Sequence, residues 1–348
     1  MRYFDQALVA NSRPHAGWWG EVTANREWFH QSEDALCTVQ NASSILPRDA
    51  WLEMDSITRR VMRDDEGQAF MADLMPLARA VNIGKLVHMN RVSSDAGTVQ
   101  RSMSGQVPNS LDKVTYDYRG TPVPIFSTAY GREWREWNTL QSENFDALSD
   151  DQEAHTAAIR SNMADYALDG DATISVEGYA GNGIRNHPLA KSINLGTATG
   201  GANIDLTSAD SDAVEGFING AFGAMLDANY IAGGVNLYVS PEIGRNLDQP
   251  YSGSTGFKTG SLRDALLANR RINKIVVTFK LTGNEFFGFV PNSDYIRPLI
   301  GMAVNTTAKT RMNPTDNYQF LIMGAMGIDI RADFNGRSGV FYSTVVNA

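Results

Sequence analysis

Between Ser142 and Pro188 the sequence carries the pattern of one long amphipathic helix that runs into a glycine-rich turn. Ser149 opens the helix with capping-box spacing, since Gln152 lies three residues on and can return a hydrogen bond to the cap. Asp150 and Asp151 sit favourably in the first turn. Ala154, Ala158, Ile159, Met163, Tyr166 and Ala167 recur at three- and four-residue steps, which lines them along one face and leaves Glu153, Arg160 and Asp165 in water. Gly170 ends the helix as a C′ glycine. About twenty residues at 1.5 Å each make a rod of roughly 30 Å, long enough to cross a small domain. The rest of the chain has to pack around that rod.

A chain of 348 residues with 43% apolar content divides into two or three packed units, each with material for a core. Lys and Arg number 30 against 39 acids, a formal charge of −9, and no basic run marks a nucleic-acid groove or an anionic membrane surface. Direct reading of a DNA sequence is therefore not expected. Cys37 is the single cysteine, so neither an intrachain disulfide nor a thiolate metal cluster can form. The first twenty residues lack a basic segment followed by an apolar core, and no window approaches 18 uncharged apolar residues. The expectation is a protein made and kept soluble in a cytoplasm.

Residues 1 to about 45 place Trp18, Trp19, Trp28 and Phe29 among polar neighbours without a sustained period. Such rings need cover, either from this chain's own core or from an adjacent copy on which the segment packs as an arm. A helix is predicted at about Arg48 to Asp64, with Pro47 just before it, and a second at Gln68 to Arg79, interrupted at Pro76. Between His88 and Gly120 polar residues dominate and only short alternations such as Val114, Tyr116 and Tyr118 suggest strands. An extended hairpin of this kind buries too little to be stable alone. It lies either on its own subunit or on a neighbour.

Pro122 to Phe126 leads into a strand and then to Arg132–Trp137, where Trp134 and Trp137 can share a helical face. After Gly170 a strand at Thr173 to Val176 precedes Gly178, Gly181 and Gly183. Their spacing departs from the G-x-G-x-x-G fingerprint and lacks its strand–turn–helix context. A helix follows at Ser211 to Asn229, with Gly216, Gly220 and Gly223 permitting close backbone approach. Next come a strand at Val235 to Val239, a helix capped by Ser240-Pro241-Glu242, a Gly/Ser-rich loop over 248–260, a helix at Leu262 to Arg270 and a strand at Lys274 to Lys280. Strands are predicted at Phe286 to Val290, Leu299 to Val304, Gln319 to Met323, Ile328 to Ala332 and Val340 to Val345. The fold class is α+β.

The five histidines form no H-x-x-x-H or H-x-H pair, and no acidic run has calcium-loop spacing. There is no G-x-S-x-G elbow and no P-loop. Asp169 and Asp171 flanking Gly170 are explained by helix termination, and Met302, Met312, Met323 and Met326 as core filler. No metal, no cofactor and no catalytic residues are expected.

The order of parts (arm, helix, polar hairpin, strand, long helix, glycine-rich loop, α+β module, returning strands) resembles the major capsid proteins of tailed phages with the HK97-like fold. The residues carrying the resemblance run in order: Leu46-Pro47-Arg48-Asp49-Ala50-Trp51, Ala72-Asp73-Leu74, Ser102-Met103-Ser104-Gly105, Thr115-Tyr116, Pro122-Val123-Pro124-Ile125, Asp169-Gly170, Gly183-Ile184 and Asn186-His187-Pro188. The resemblance implies an N-terminal arm and helices over 1–80 and an extended E-loop hairpin over 81–125. It implies a peripheral domain with the spine helix over 126–190 plus 306–348, and an axial domain over 191–305. It also implies pentamers and hexamers that close into an icosahedral head around double-stranded DNA, held by weak non-specific contact. Portal and possible scaffold or cement partners, no membrane, and a virion component assembled in the host cytoplasm go with it. On that implication the subunit-interface residues are Trp18, Trp19, Trp28, Arg101, Met103, Lys113, Tyr116 and Tyr118. Two other readings stay open: an encapsulin-like compartment with a cargo enzyme, and a soluble cytoplasmic enzyme using the 178–183 turn as a ligand loop.

Overall fold

In the computed structural model the described residues are 67–97, 99, 101, 103–104, 112–137, 147–253 and 256–347. The predicted arm with Trp18, Trp19 and Trp28, and the helix predicted over Arg48 to Asp64, lie outside them.

Five strands make the central sheet. They are Lys191–Asn194 (β7), Val235–Val239 (β8), Ile272–Val277 (β11), Phe286–Phe289 (β12) and Val340–Thr344 (β15), in the order β11-β8-β12-β15-β7. Every residue of β8 and β12 is buried, so both faces of the sheet are covered, and strands of that kind read as unbroken apolar runs. Alternation still decides which core each side chain joins. Leu237, Val239, Phe286 and Phe341 point into one cluster with Val214, Phe217 and Phe222. Tyr238, Phe287, Phe289 and Val340 point into the other with Phe70, Ile159 and Met163. Gly288 sits opposite Phe341, whose ring lies 2.6 Å from where a Cβ would be. Aromatic geometry organises the second core: Tyr238 stacks on Phe287 at 5.0 Å, and Phe70 meets Phe287 edge-on at 5.4 Å.

Phe70 arrives on the helix Gln68–Leu74 (α1), which continues into a 3₁₀ turn, Met75–Leu77, where Pro76 interrupts it as expected. The helix is tied to the sheet by Asp73, which accepts from the Tyr238 hydroxyl and pairs with Lys274 at 2.7 Å.

The long helix is Ala147–Asp169 (α2), and Gly170 ends it in the left-handed region at φ 68°. It lies on a second sheet made of Arg79–Ala80 (β1), Ile296–Ala308 (β13), Tyr318–Ile330 (β14) and Ile125–Arg132 (β4), in the order β1-β13-β14-β4. From Ile159 onward the helix follows its expected face, with Ile159, Met163, Tyr166 and Ala167 buried and Arg160 and Asp165 exposed. Its first half differs. Ala154 and Ala158 are exposed, and contact is made instead by His155, which stacks on Tyr130 at 5.3 Å and shares a 2.9 Å hydrogen bond with Thr128 Oγ1. Ser149 is not the cap, because the helix is already formed at Ala147 and Leu148, two strong helix formers with no reason to break there. Arg132 pairs with Asp151 through both carboxylate oxygens, at 2.6 and 2.9 Å, which fixes the end of β4 to the helix start.

Other departures have local causes. The two strands expected at 319–323 and 328–332 are one, β14, because Gly327 is not a breaker. It is the place where the Pro122 carbonyl comes within 2.5 Å of a would-be Cβ. In place of the loop expected over 248–260, Pro250–Gly253 (β9) pairs with Gly256–Ser261 (β10) as a ribbon. The helix predicted from Ser211 is continuous to Ala228 as α3 (Ser211–Phe217), a π turn (Ile218–Phe222) and α4 (Gly223–Ala228). Gly216 and Gly220 face open space there, so they serve no close approach. The helices Pro241–Leu247 (α5) and Leu262–Leu267 (α6) begin at Ser240 and Ser261, each accepting from a backbone N–H, the latter in a full capping box with Asp264. Strand β15, expected with the 306–348 segment beside the spine, pairs with β12 and β7 in the central sheet.

Candidate functional site

Two strands stand apart from both sheets: Val87–Ser93 (β2) and Tyr116–Pro122 (β3), antiparallel from Val87 opposite Pro122 to Ser93 opposite Tyr116. The pairing continues one step, with Ser94 N donating to Thr115 O at 2.8 Å. Directly opposed residues share a face of the ribbon. Met89, Arg91, Tyr118 and Tyr116 therefore line one side, and His88, Asn90, Asp117, Arg119 and Thr121 the other.

An isolated pair of strands is marginal in water, and among the described residues this one is gripped at its root. On the polar side Asp329, with no exposure, accepts from Asn90 Nδ2 at 2.8 Å and Thr121 Oγ1 at 3.3 Å, and pairs with Arg297 Nε at 2.9 Å. Arg119 Nη1 donates to the Ala332 carbonyl at 3.0 Å. The other side is held by a hairpin, Gly170–Val176 (β5) and Tyr179–Asn182 (β6), turned at Glu177-Gly178 with φ of 51° and 86°. Its Tyr179 ring lies 2.9 Å from where a Cβ on Gly120 would stand. This is what the glycine-rich segment does in the fold. Asp171 caps its own turn by accepting from Thr173 N and Oγ1, and Asp169 pairs with Arg185.

Beyond the root nothing among the described residues covers the ribbon's apolar side. Met89 is 45% exposed, Tyr118 60% and Tyr116 56%, with the Arg91 guanidinium 4.8 Å over the Tyr116 ring. Val99 and Met103, in the connection, are exposed. A second protrusion is the turn joining β13 to β14. There Asp316 accepts from Met312 N and Asn313 N at 3.0 and 2.7 Å, and Arg311 lies 4.0 Å over Tyr318.

Two imidazoles feel the same carboxylate. Burial pushes His88 below its ordinary value against the opposing pull of Asp329. Burial pushes His187 down to about 4, also against Asp329. His187 Nδ1 accepts from Leu189 N at 3.2 Å, the geometry of a neutral ring.

Of the residues singled out in the sequence, Tyr116 and Tyr118 come together on one face of the ribbon. Arg101, Met103 and Lys113 are exposed in the connection that leaves it, and Trp18, Trp19 and Trp28 lie outside the described residues. The reading missed Met89 and Arg91 on that face and the root residues Asn90, Asp329, Arg297 and Tyr179. A period-two pattern over Val87–Ser93 was available for the first pair. Contacts such as Asn90 with Asp329, 239 positions apart, leave no local trace. Among the described residues no three His, Cys, Asp or Glu side chains gather as a metal site, and no helix is long and apolar enough to cross a membrane.

A family model described as a family of unknown function, DUF6260, matches residues 41–343. No curated protein matches the sequence. Solved structures similar in fold include the capsid of Myoviridae phage XM1, with a TM-score of 0.65 and 12% identity over 87% of this chain and 100% of that one. The capsid of the native GTA particle has a TM-score of 0.57 and 12% identity over 89% and 98%. A chain of Microbacterium phage Oxtober96 has a TM-score of 0.57 and 13% identity over 91% and 98%.

Proposed function

The chain belongs to the family of unknown function DUF6260 and has the HK97-like capsid fold, and on that premise we propose that it is a major capsid protein. It self-assembles as pentamers and hexamers into an icosahedral phage head around double-stranded DNA. The observation that carries this reading is the ribbon: a root fixed by a buried ion pair and a free length whose exposed side is tyrosine, methionine and arginine. A monomer gains nothing by holding such a surface in water, whereas tyrosine and arginine are the residues on which protein contacts concentrate.

In this reading residues 81–125 are the E-loop, laid across a neighbouring subunit. Tyr116, Tyr118, Arg101, Met103 and Lys113 are its contacts, and Trp18, Trp19 and Trp28 belong to the arm over residues 1–80. Residues 126–190 with 306–348 form the peripheral domain, whose last strand β15 reaches into the central sheet, and residues 191–305 surround the local symmetry axes. One patch meets a different patch on the next copy, and rotation closes the ring. The work is structural, not catalytic. A formal charge of −9 repels uncompensated phosphates, so contact with DNA is weak and non-specific, and a portal with scaffold or cement proteins completes the virion component, assembled in the host cytoplasm.

Electron microscopy and sedimentation of the expressed protein test this. Closed particles are the expected result, and a folded monomer at high concentration refutes it. Extracting the contents then separates a genome container from an encapsulin-like compartment.

A further inference from the structure

Beside the ribbon's root a cleft of about 460 Å³ opens between the ribbon and three turns of the main body. Three arginines line it, Arg91, Arg331 and Arg337, with Tyr230, Tyr295 and Phe334. The carboxylates on it are Asp294 and Asp333. Asp333 is engaged in its own turn, accepting from Arg337 N at 2.7 Å and pairing with the Arg337 guanidinium at 3.5 Å. The cleft is thus net positive on a chain whose formal charge is −9.

Its parts are prearranged. Ala332 and Ser338 form a β-bridge that closes the Asp333–Arg337 turn and presents Phe334 46% exposed. Buried Asn229 accepts from Ser338 N at 3.2 Å, which joins that turn to the next residue, Tyr230. Tyr230 adopts the left-handed backbone at φ 57°, a conformation that bulky side chains rarely take. Its ring is 73% exposed and lies 4.1 Å from the Arg337 guanidinium. An aromatic held outward at a backbone cost, stacked with arginine, has the make-up of a protein-contact hot spot.

We infer that this cleft seats an acidic segment of a second copy of this chain, an inference that rests on the shell reading above. Guanidinium forks match carboxylates in pairs, and the copies supply acidic surface in excess. Arg91 makes the cleft continuous with the exposed Tyr116 and Tyr118 side of the ribbon. A nucleic-acid backbone is disfavoured, because it needs a basic track longer than the three arginines that line this cleft.

The test uses assembled particles carrying Phe334→p-benzoylphenylalanine, co-expressed with a differently tagged copy, irradiated and mapped by mass spectrometry. Expected are cross-links to an Asp/Glu-containing peptide of the other copy, and a fall of tenfold or more in particle yield for Arg331→Glu with unchanged subunit melting. Cross-links only within one chain, residues 1–66 included, or only to nucleic acid, overturn the inference, as does normal yield of Arg331→Glu particles. In those cases the wild-type particles still stand for the shell reading; wild-type protein that forms none removes both.

Discussion

Asn90 reaches 239 positions along the chain to donate its side-chain amide to Asp329, a carboxylate that water does not touch. With Arg297 on the other oxygen, this pair fastens the ribbon to the body. Removing one member of a buried ion pair strands the other, at a cost of about 3–5 kcal/mol. Asp329→Asn should therefore lower the melting temperature sharply and speed amide exchange in residues 87–93 and 116–122. Calorimetry and hydrogen exchange measure both, and unchanged exchange in the two strands contradicts the anchoring role.

The free part of the ribbon should matter to association and not to folding. Deleting residues 95–112, or combining Tyr116→Ser with Tyr118→Ser, is expected to leave subunit melting intact and to abolish or weaken closed particles. Sedimentation and electron microscopy read the outcome. Particles at normal yield and stability would falsify the docking role of this loop.

Acid should loosen the same region. In the unfolded chain a histidine takes its proton near 6.5, but in the fold His187 does not until about 4. As pH falls through that window the unfolded state is protonated first, so stability declines and flattens below about pH 4. The loss from His187 is at most about 3 kcal/mol, less where water reaches the ring. His88, also lowered, acts in the same sense. Denaturation curves at successive pH values should show a shallower decline for His187→Gln than for the wild type. Parallel curves exclude the effect.

The central sheet leaves no room at Gly288. A methyl group there would stand 2.6 Å from both the Asn236 carbonyl and the Phe341 ring. Gly288→Ala should destabilise by about 1–3 kcal/mol through overpacking. Combining it with Phe341→Leu should recover part of that in a double-mutant cycle by chemical denaturation, since the ring is one of the two obstacles.

Much of the fold was legible because its signals are local. Gly170 closes the long helix, Ser240-Pro241 opens another, and Val235–Val239 is a strand to the residue. Misreadings arose where a tertiary neighbour decided. Gly327 looked like a strand end but accommodates the Pro122 carbonyl, and Ala154 looked like core but faces water because His155 makes the contact beside it. The candidate site was half legible. Alternation exposed Tyr116 and Tyr118, whereas the root at Asp329 and the cleft around Tyr230 are assembled from distant turns that carry no period.

The place of β15 between β12 and β7 also sets a timetable. Residues 191–194 find their strand partner in residues 341–344, so the central sheet cannot close before that strand has been made. On the proposed shell reading, copies in which that strand is not yet made should stay unable to nucleate a lattice, however crowded they are.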